Sequence, residues 1–195
     1  MNTQYLLALG LGYLLGSVPF GLILTRLFGA GDLRAIGSGS IGATNVLRTG
    51  RKGLAAATVL LDAGKGVAAV LVAERLWQGT GGVAAVGAIV GHCFPVWLRF
   101  NGGKGFATAA GVCAVLSWQV FLIAAAVWGG ALALLRYSSV ASLSAIVAAP
   151  LAALFFGQDE TAIVLAIIAL IVILQHRGNI ARLRAGTEPK VGSKG

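Results

Sequence analysis

Apolar runs long enough to cross a bilayer alternate with short polar stretches along this chain. A helical span needs about 20 predominantly apolar residues. Segments 5–25, 53–73, 140–157 and 162–175 read as spans, the second in spite of Asp62 and Lys65 within it, and 82–98 is a slightly short fifth. The remaining run, 106–135, carries no charge. As one helix it would be about 45 Å long at about 1.5 Å per residue, too long for one crossing and short for two.

Charge resolves that run. If two short helices meet near 117–119, the total is seven spans, with the N-terminus outside and the C-terminus cytoplasmic. The loop 26–52, the turn 99–104, Arg136 and the tail from Arg177 then share the cytoplasmic side. Thirteen of the fifteen basic residues fall there, with only Lys65 and Arg75 elsewhere, while Glu74, Asp159 and Glu160 go outside. One long helix would export the basic tail, against the tendency of Lys and Arg near span ends to stay inside. The expectation is an all-α integral membrane protein of about seven transmembrane helices, two of them short.

Composition agrees, since 57% hydrophobic and 11% charged residues are far from a soluble domain of 195 residues. A net charge of +9 raises nucleic acid as a partner, but the charges sit between apolar runs and not on one face of a soluble module, so no nucleic acid is expected. The N-terminal run has no basic start and no small-residue cleavage site, so it reads as a first span and not a signal peptide. Cys93 and Cys113 lie in apolar segments without CxxC spacing and read as buried small hydrophobes. The 29 glycines, with alanines beside them, permit close helix approach in lipid. With no long soluble stretch, 1–195 reads as one domain. The lack of a convincing internal repeat weakens an inverted-repeat transporter.

Two glycine-rich loops on the basic side carry candidate chemistry. The first runs from Gly37 through Ser38, Gly39, Ser40, Gly42, Thr44 and Asn45 to Arg48. Its glycines let backbone approach a ligand, its hydroxyls and amide offer neutral hydrogen bonds, and Arg48 offers a fork matched to phosphate oxygens. The second holds Gly102, Gly103, Lys104 and Gly105 just before an apolar helix. Successive backbone N–H groups and a helix N-terminus make an anion site there, with Lys104 as a mobile cation. It is no Walker motif, because Gly105 stands where Ser or Thr would follow the lysine.

Asp62 and Lys65 stand three apart and share a helix face, as a functional pair facing a cavity or as an ion pair tying helices together. His92 reads as a structural hydrogen-bonding residue. Ser139 and Ser142 line a pocket or back-bond within their helix. By polarity the tail 176–188 is a basic segment attracted to anionic lipid, with His176 and Asn179 three apart at the exit of a span.

Taken in order, Ser17-Val18-Pro19-Phe20-Gly21, the 37–48 loop GSGSIGATNVLR, DAGKG at 62–66, GHCFP at 91–95, NGGKGFAT at 101–108, RYSSVAS at 136–142 and HRGNIARLRAGTE at 176–188 resemble the bacterial membrane family of acyl-phosphate:glycerol-3-phosphate acyltransferases. Ser40 stands where the family commonly has Asn, and Phe106 where Val is usual. The resemblance implies acyl transfer from acyl phosphate to the 1-hydroxyl of sn-glycerol 3-phosphate, giving lysophosphatidate and phosphate, at the cytoplasmic face of the bacterial inner membrane.

With the residue readings, it makes Ser38, Arg48, Lys104, His176 and Asn179 the catalytic candidates. Gly37, Gly39, Ser40, Gly42, Thr44, Asn45, Lys65, Gly102, Gly103, Gly105, Ser139 and Ser142 become candidate substrate contacts, and Glu188 a structural residue. No HxxxxD box, GxSxG or Ser-His-Asp set occurs, so direct attack by the glycerol hydroxyl is expected, with His176 and Asn179 orienting the glycerol phosphate or assisting proton transfer and a substrate phosphate oxygen as the alternative base. No cofactor is expected, nor a metal, because Asp32, Asp62 and Glu188 do not cluster in sequence. The alternatives are a transporter or flippase of an anionic metabolite or lipid, and an acyl-CoA or acyl carrier protein donor.

Overall fold

The computed structural model describes residues 3–37 and 39–192, and all regular structure among them is helical. The α-helices are α1 Thr3–Gly16, α2 Phe20–Leu27, α3 Ala43–Leu47, α4 Lys52–Leu76, α5 Gly81–Cys93, α6 Phe106–Leu116, α7 Trp118–Leu135, α8 Ser138–Phe155, α9 Asp159–Gln175 and α10 Arg177–Arg184. Among the described residues five stretches are long and apolar enough to cross a bilayer: Thr3–Leu27, Lys52–Leu76, Gly81–Leu98, Trp118–Leu135 and Ser138–Phe155. A sixth arises if α9 and α10, which meet at a 58° bend, count as one.

The charge-free run breaks within the expected window, at Ser117. This residue is extended (φ −160°), and its hydroxyl accepts from Val120 N–H to cap α7. The two halves are unequal. α7 has 18 residues, but α6 has 11, about 16 Å and half of a bilayer core of about 30 Å. The run is thus two helices meeting at Ser117, as the charge pattern implies; five stretches and the α9–α10 pair reach spanning length, and α6 is a short apolar helix beside them.

Small residues set the packing. Gly12 and Gly16 of α1 face the carbonyls of Ala84 and Ala88, while Gly87 and Gly91 of α5 face those of Leu9 and Tyr13, so a Cβ at any of them would strike the other helix's backbone. This small-xxx-small pairing lets two apolar helices touch closely in lipid. Pro19, which has no N–H and disfavours helix at Val18, separates α1 from α2. Lys65 Nζ reaches from α4 to the Val18 carbonyl at this break (2.8 Å) and lies 2.7 Å from Asp62 Oδ1. Outward side chains such as Leu60, Leu134 and Phe155 are exposed, as lipid-facing positions should be.

Candidate active site

α3, the N-terminal ends of α4, α6 and α8, and the bend between α9 and α10 converge at one end of the bundle. There they enclose the mouth of a cavity of about 1080 Å³. Arg48, Lys52, Lys104, Arg182 and Lys190 line the mouth, with Glu188, His176, Asn179 and the serines 138, 139 and 142 between them. Further in, the walls are Ala110, Cys113, Phe121, Ala124, Ala125, Ala145, Ala149 and Leu165. Along α6, α8 and α9 the lining residues therefore change from polar to apolar with depth, while Asp62 of α4 and His92 add polar groups to the wall.

The first loop is tied from within. The Asn45 amide nitrogen lies 2.8 Å, 3.0 Å and 2.8 Å from the carbonyls of Leu33, Ile36 and Ser40, so this buried side chain fixes the loop. Gly37 has φ +54°, and a Cβ there would meet the Arg48 guanidinium, so the glycine makes room for the cation. Ser40 Oγ accepts from Gly42 N–H (3.4 Å), and Thr44 Oγ1 is 3.2 Å from Ser138 Oγ. Gly37, Ser40, Gly42, Thr44, Asn45 and Arg48 line the cavity; Gly39 does not. Ser38 lies outside the described residues.

The second loop departs from expectation. Gly102 N–H donates to the Cys93 carbonyl (3.1 Å) and Gly103 N–H to that of His92 (3.0 Å), so these amides are consumed by structure and cannot cradle an anion. His92 also covers Gly103, where a Cβ would strike its Nε2, and its Nδ1 is 3.1 Å from Thr108 Oγ1. Lys104, Gly105 and the start of α6 remain facing the cavity. Burial pushes the Lys104 ammonium down to about 8, with Arg182 and Arg48 adding to the effect and Glu188 opposing it. Lys65 is likewise corrected from ligand contact to structural tether: its ammonium is spent on Asp62 and Val18 behind the wall, and it does not line the cavity.

At the helix bend, His176 is buried and its Nδ1 is 2.7 Å from the Val172 carbonyl. A carbonyl only accepts, so Nδ1 carries the hydrogen and Nε2 keeps a lone pair. Burial lowers the imidazole to about 4, helped by Lys104 and opposed by the Val172 bond and by Glu188, so it is neutral near pH 7. Glu188 accepts from Ser139 Oγ (2.6 Å), Asn179 Nδ2 (2.6 Å) and Arg182 Nε (2.8 Å). Burial alone would raise its carboxyl, but these three bonds outweigh burial and hold it below the usual range.

Asn179 and Ser139 line the cavity while gripping Glu188, and Ser142 lines it one turn deeper. Beyond Glu188 the tail crosses the mouth, pinned by Val191 N–H to the Arg136 carbonyl (2.7 Å). Sequence reasoning left out Lys52, Arg182 and Lys190. Arg182 had a local signal, three residues after Asn179 and so on the same helix face. Among the described residues no three His, Cys, Asp or Glu side chains gather as metal ligands.

Fold and site together define an integral membrane protein with a cavity that is cationic at its mouth and lined largely by small apolar residues further in. Residues 6–186 match the family model described as glycerol-3-phosphate acyltransferase. The chain belongs to the glycerol-3-phosphate acyltransferase family. It is 64% identical to a glycerol-3-phosphate acyltransferase of Novosphingobium aromaticivorans, over 99% of this chain and 98% of that one. It is 57% identical to the same-named protein of Mesorhizobium japonicum, over the full length of both. Among solved structures it is similar to an integral membrane glycerol 3-phosphate acyltransferase, PlsY, in its glycerol 3-phosphate form (TM-score 0.91, 36% identity, 96% of each chain). The lysophosphatidic acid form of PlsY is comparably similar, with TM-score 0.89 and 35% identity over 96% of this chain and 95% of that one.

Proposed function

We propose that this protein transfers a fatty acyl group from acyl phosphate to the 1-hydroxyl of sn-glycerol 3-phosphate, releasing lysophosphatidate and phosphate as the first acylation of phospholipid synthesis. The observation that carries this reading is that Arg48, Lys104 and His176 meet at the mouth of a cavity whose inner walls are apolar. Two phosphates and one hydrocarbon tail are thereby served in one place. The whole chain acts as a single domain in the inner membrane. The mouth faces the cytoplasm, supported by the basic residues around it and the retention of Lys and Arg on that side.

An acyl phosphate is a mixed anhydride with a good leaving group, so positioning and charge stabilisation carry the catalysis. Lys104, Arg48 and the N-terminus of α6 hold phosphate oxygens. His176, neutral and with Nε2 free, accepts a hydrogen bond from the glycerol hydroxyl and aims its oxygen at the acyl carbon. The new ester C–O bond forms as the acyl–phosphate bond breaks. The hydroxyl proton passes to a departing phosphate oxygen, since an imidazole lowered to about 4 retains protons poorly. Asn179 and Ser139, through Glu188, fix the bend that presents His176.

The test is purified protein in detergent, which has no two sides, with glycerol 3-phosphate and palmitoyl phosphate. Equal amounts of lysophosphatidate and phosphate are expected; no product from active-site-intact protein overturns the enzyme reading in favour of a transporter.

A further inference from the structure

The cavity has a floor. Its deepest lining includes Cys113 of α6, Ala149 of α8 and Leu165 of α9. These pack in one apolar cluster with Val120, Ala152, Ala153 and Ala162, which are buried and are not among the lining residues. The bore is therefore open down to Ala149 and Leu165 and plugged beyond them.

Three helices give the same depth. Ser138 to Ala149 in α8, Lys52 to Ala63 in α4, and His176 back to Leu165 along α9 are each eleven residue steps, about 16 Å at about 1.5 Å per step. That is about half of a hydrocarbon core of about 30 Å, one leaflet, which is the reach of a single fatty acyl chain. Above the floor Ala110, Ala124 and Ala145 leave room for a chain, while Phe121 and Trp128 bound the bore on the α7 side.

We infer that Ala149 and Leu165 form the stop for the terminal methyl of the acyl chain and set the chain length the enzyme accepts. The inference rests on the acyl-phosphate reading above. A chain matched to the bore fills it to the plug; a longer one must displace packed side chains or buckle, which raises the barrier for that substrate alone. A hydrophobic pocket discriminates by size in this way without any polar contact.

The experiment compares kcat/KM for lauroyl, palmitoyl and stearoyl phosphate in the same detergent, with wild-type protein, Ala149→Phe and Leu165→Ala. Ala149→Phe raises the floor, so the stearoyl-to-lauroyl ratio is expected to fall about tenfold or more, the size of effect one misfit group produces in an apolar pocket. Leu165→Ala lowers the floor, so the ratio is expected to rise, and this variant decides the matter if Ala149→Phe does not fold. Ratios unmoved in the folded variants, including an equal loss at every length, overturn the stop and leave the tail free in lipid. Absence of wild-type turnover with all three donors instead overturns the acyl-phosphate reading itself.

Discussion

Lys104 offers a prediction that ties the geometry to two readouts of opposite sign. Burial holds its ammonium near 8, against 10.5 in the free chain. For the free enzyme about nine-tenths of Lys104 is then charged at pH 7 and about one-tenth at pH 9, so kcat/KM falls about tenfold between the plateau and pH 9. Lys104→Arg carries a cation that does not titrate in this range, and the alkaline fall is expected to disappear. Lys104→Met removes one preorganised donor to the developing phosphate charge, worth about 10²–10³-fold in turnover.

The stability effect runs the other way. Below pH 8 the folded protein bears the full cost of a half-buried cation, and from 8 to 10.5 the unfolded chain binds more protons than the folded one, so stability rises with pH across that window. Lys104→Met therefore raises Tm at pH 7 while lowering turnover, as residues kept for function often do when removed. A thiol-reactive dye that reads the buried Cys93 and Cys113 on unfolding follows Tm, and a coupled phosphate assay follows turnover. An alkaline limb with the same midpoint in Lys104→Arg, or normal kinetics in Lys104→Met, refutes the assignment of Lys104 to phosphate.

Glu188→Gln weakens three charge-assisted bonds of about 1.5–3 kcal/mol each, so Tm and kcat/KM both fall. Because the Glu188 carboxyl is held below its ordinary value of 4.5, its contribution is fully present above that pH and is lost as pH falls through the lower folded value; a thermal-shift series in acid checks this. Gly103→Ala places a Cβ against the His92 ring, and a lowered Tm with weakened glycerol 3-phosphate binding is expected; unchanged values mean the ring gives way. Lys65→Met leaves Asp62 buried without its partner and is expected to cost about 3–5 kcal/mol, whereas Asp62→Asn with Lys65→Met recovers part of the loss. Equal Tm for the single and double variants contradicts that coupling.

The parts of this architecture that depend on local pattern were legible in the sequence. Charge placement located the break that falls at Ser117, and glycine spacing picked out the loops that bring Arg48 and Lys104 to one mouth. Contacts between distant positions were not legible. Nothing local says that the Gly102 and Gly103 amides bond to Cys93 and His92, so an anion cradle was expected where structure uses the donors. Lys65 is spent on a carbonyl 47 positions away, and Ser139 meets Glu188 across 49. The apolar bore was hidden for another reason, since alanines that line a channel and alanines that let helices touch look alike in a chain rich in both.

The most direct measurement of the central claim offers palmitoyl phosphate and palmitoyl-CoA in parallel to wild-type protein and Lys104→Met, with glycerol 3-phosphate as acceptor and lysophosphatidate as readout. The account predicts product only from palmitoyl phosphate, at a rate lowered about 10²–10³-fold in Lys104→Met; equal turnover from palmitoyl-CoA, or near-normal turnover in Lys104→Met, would contradict it.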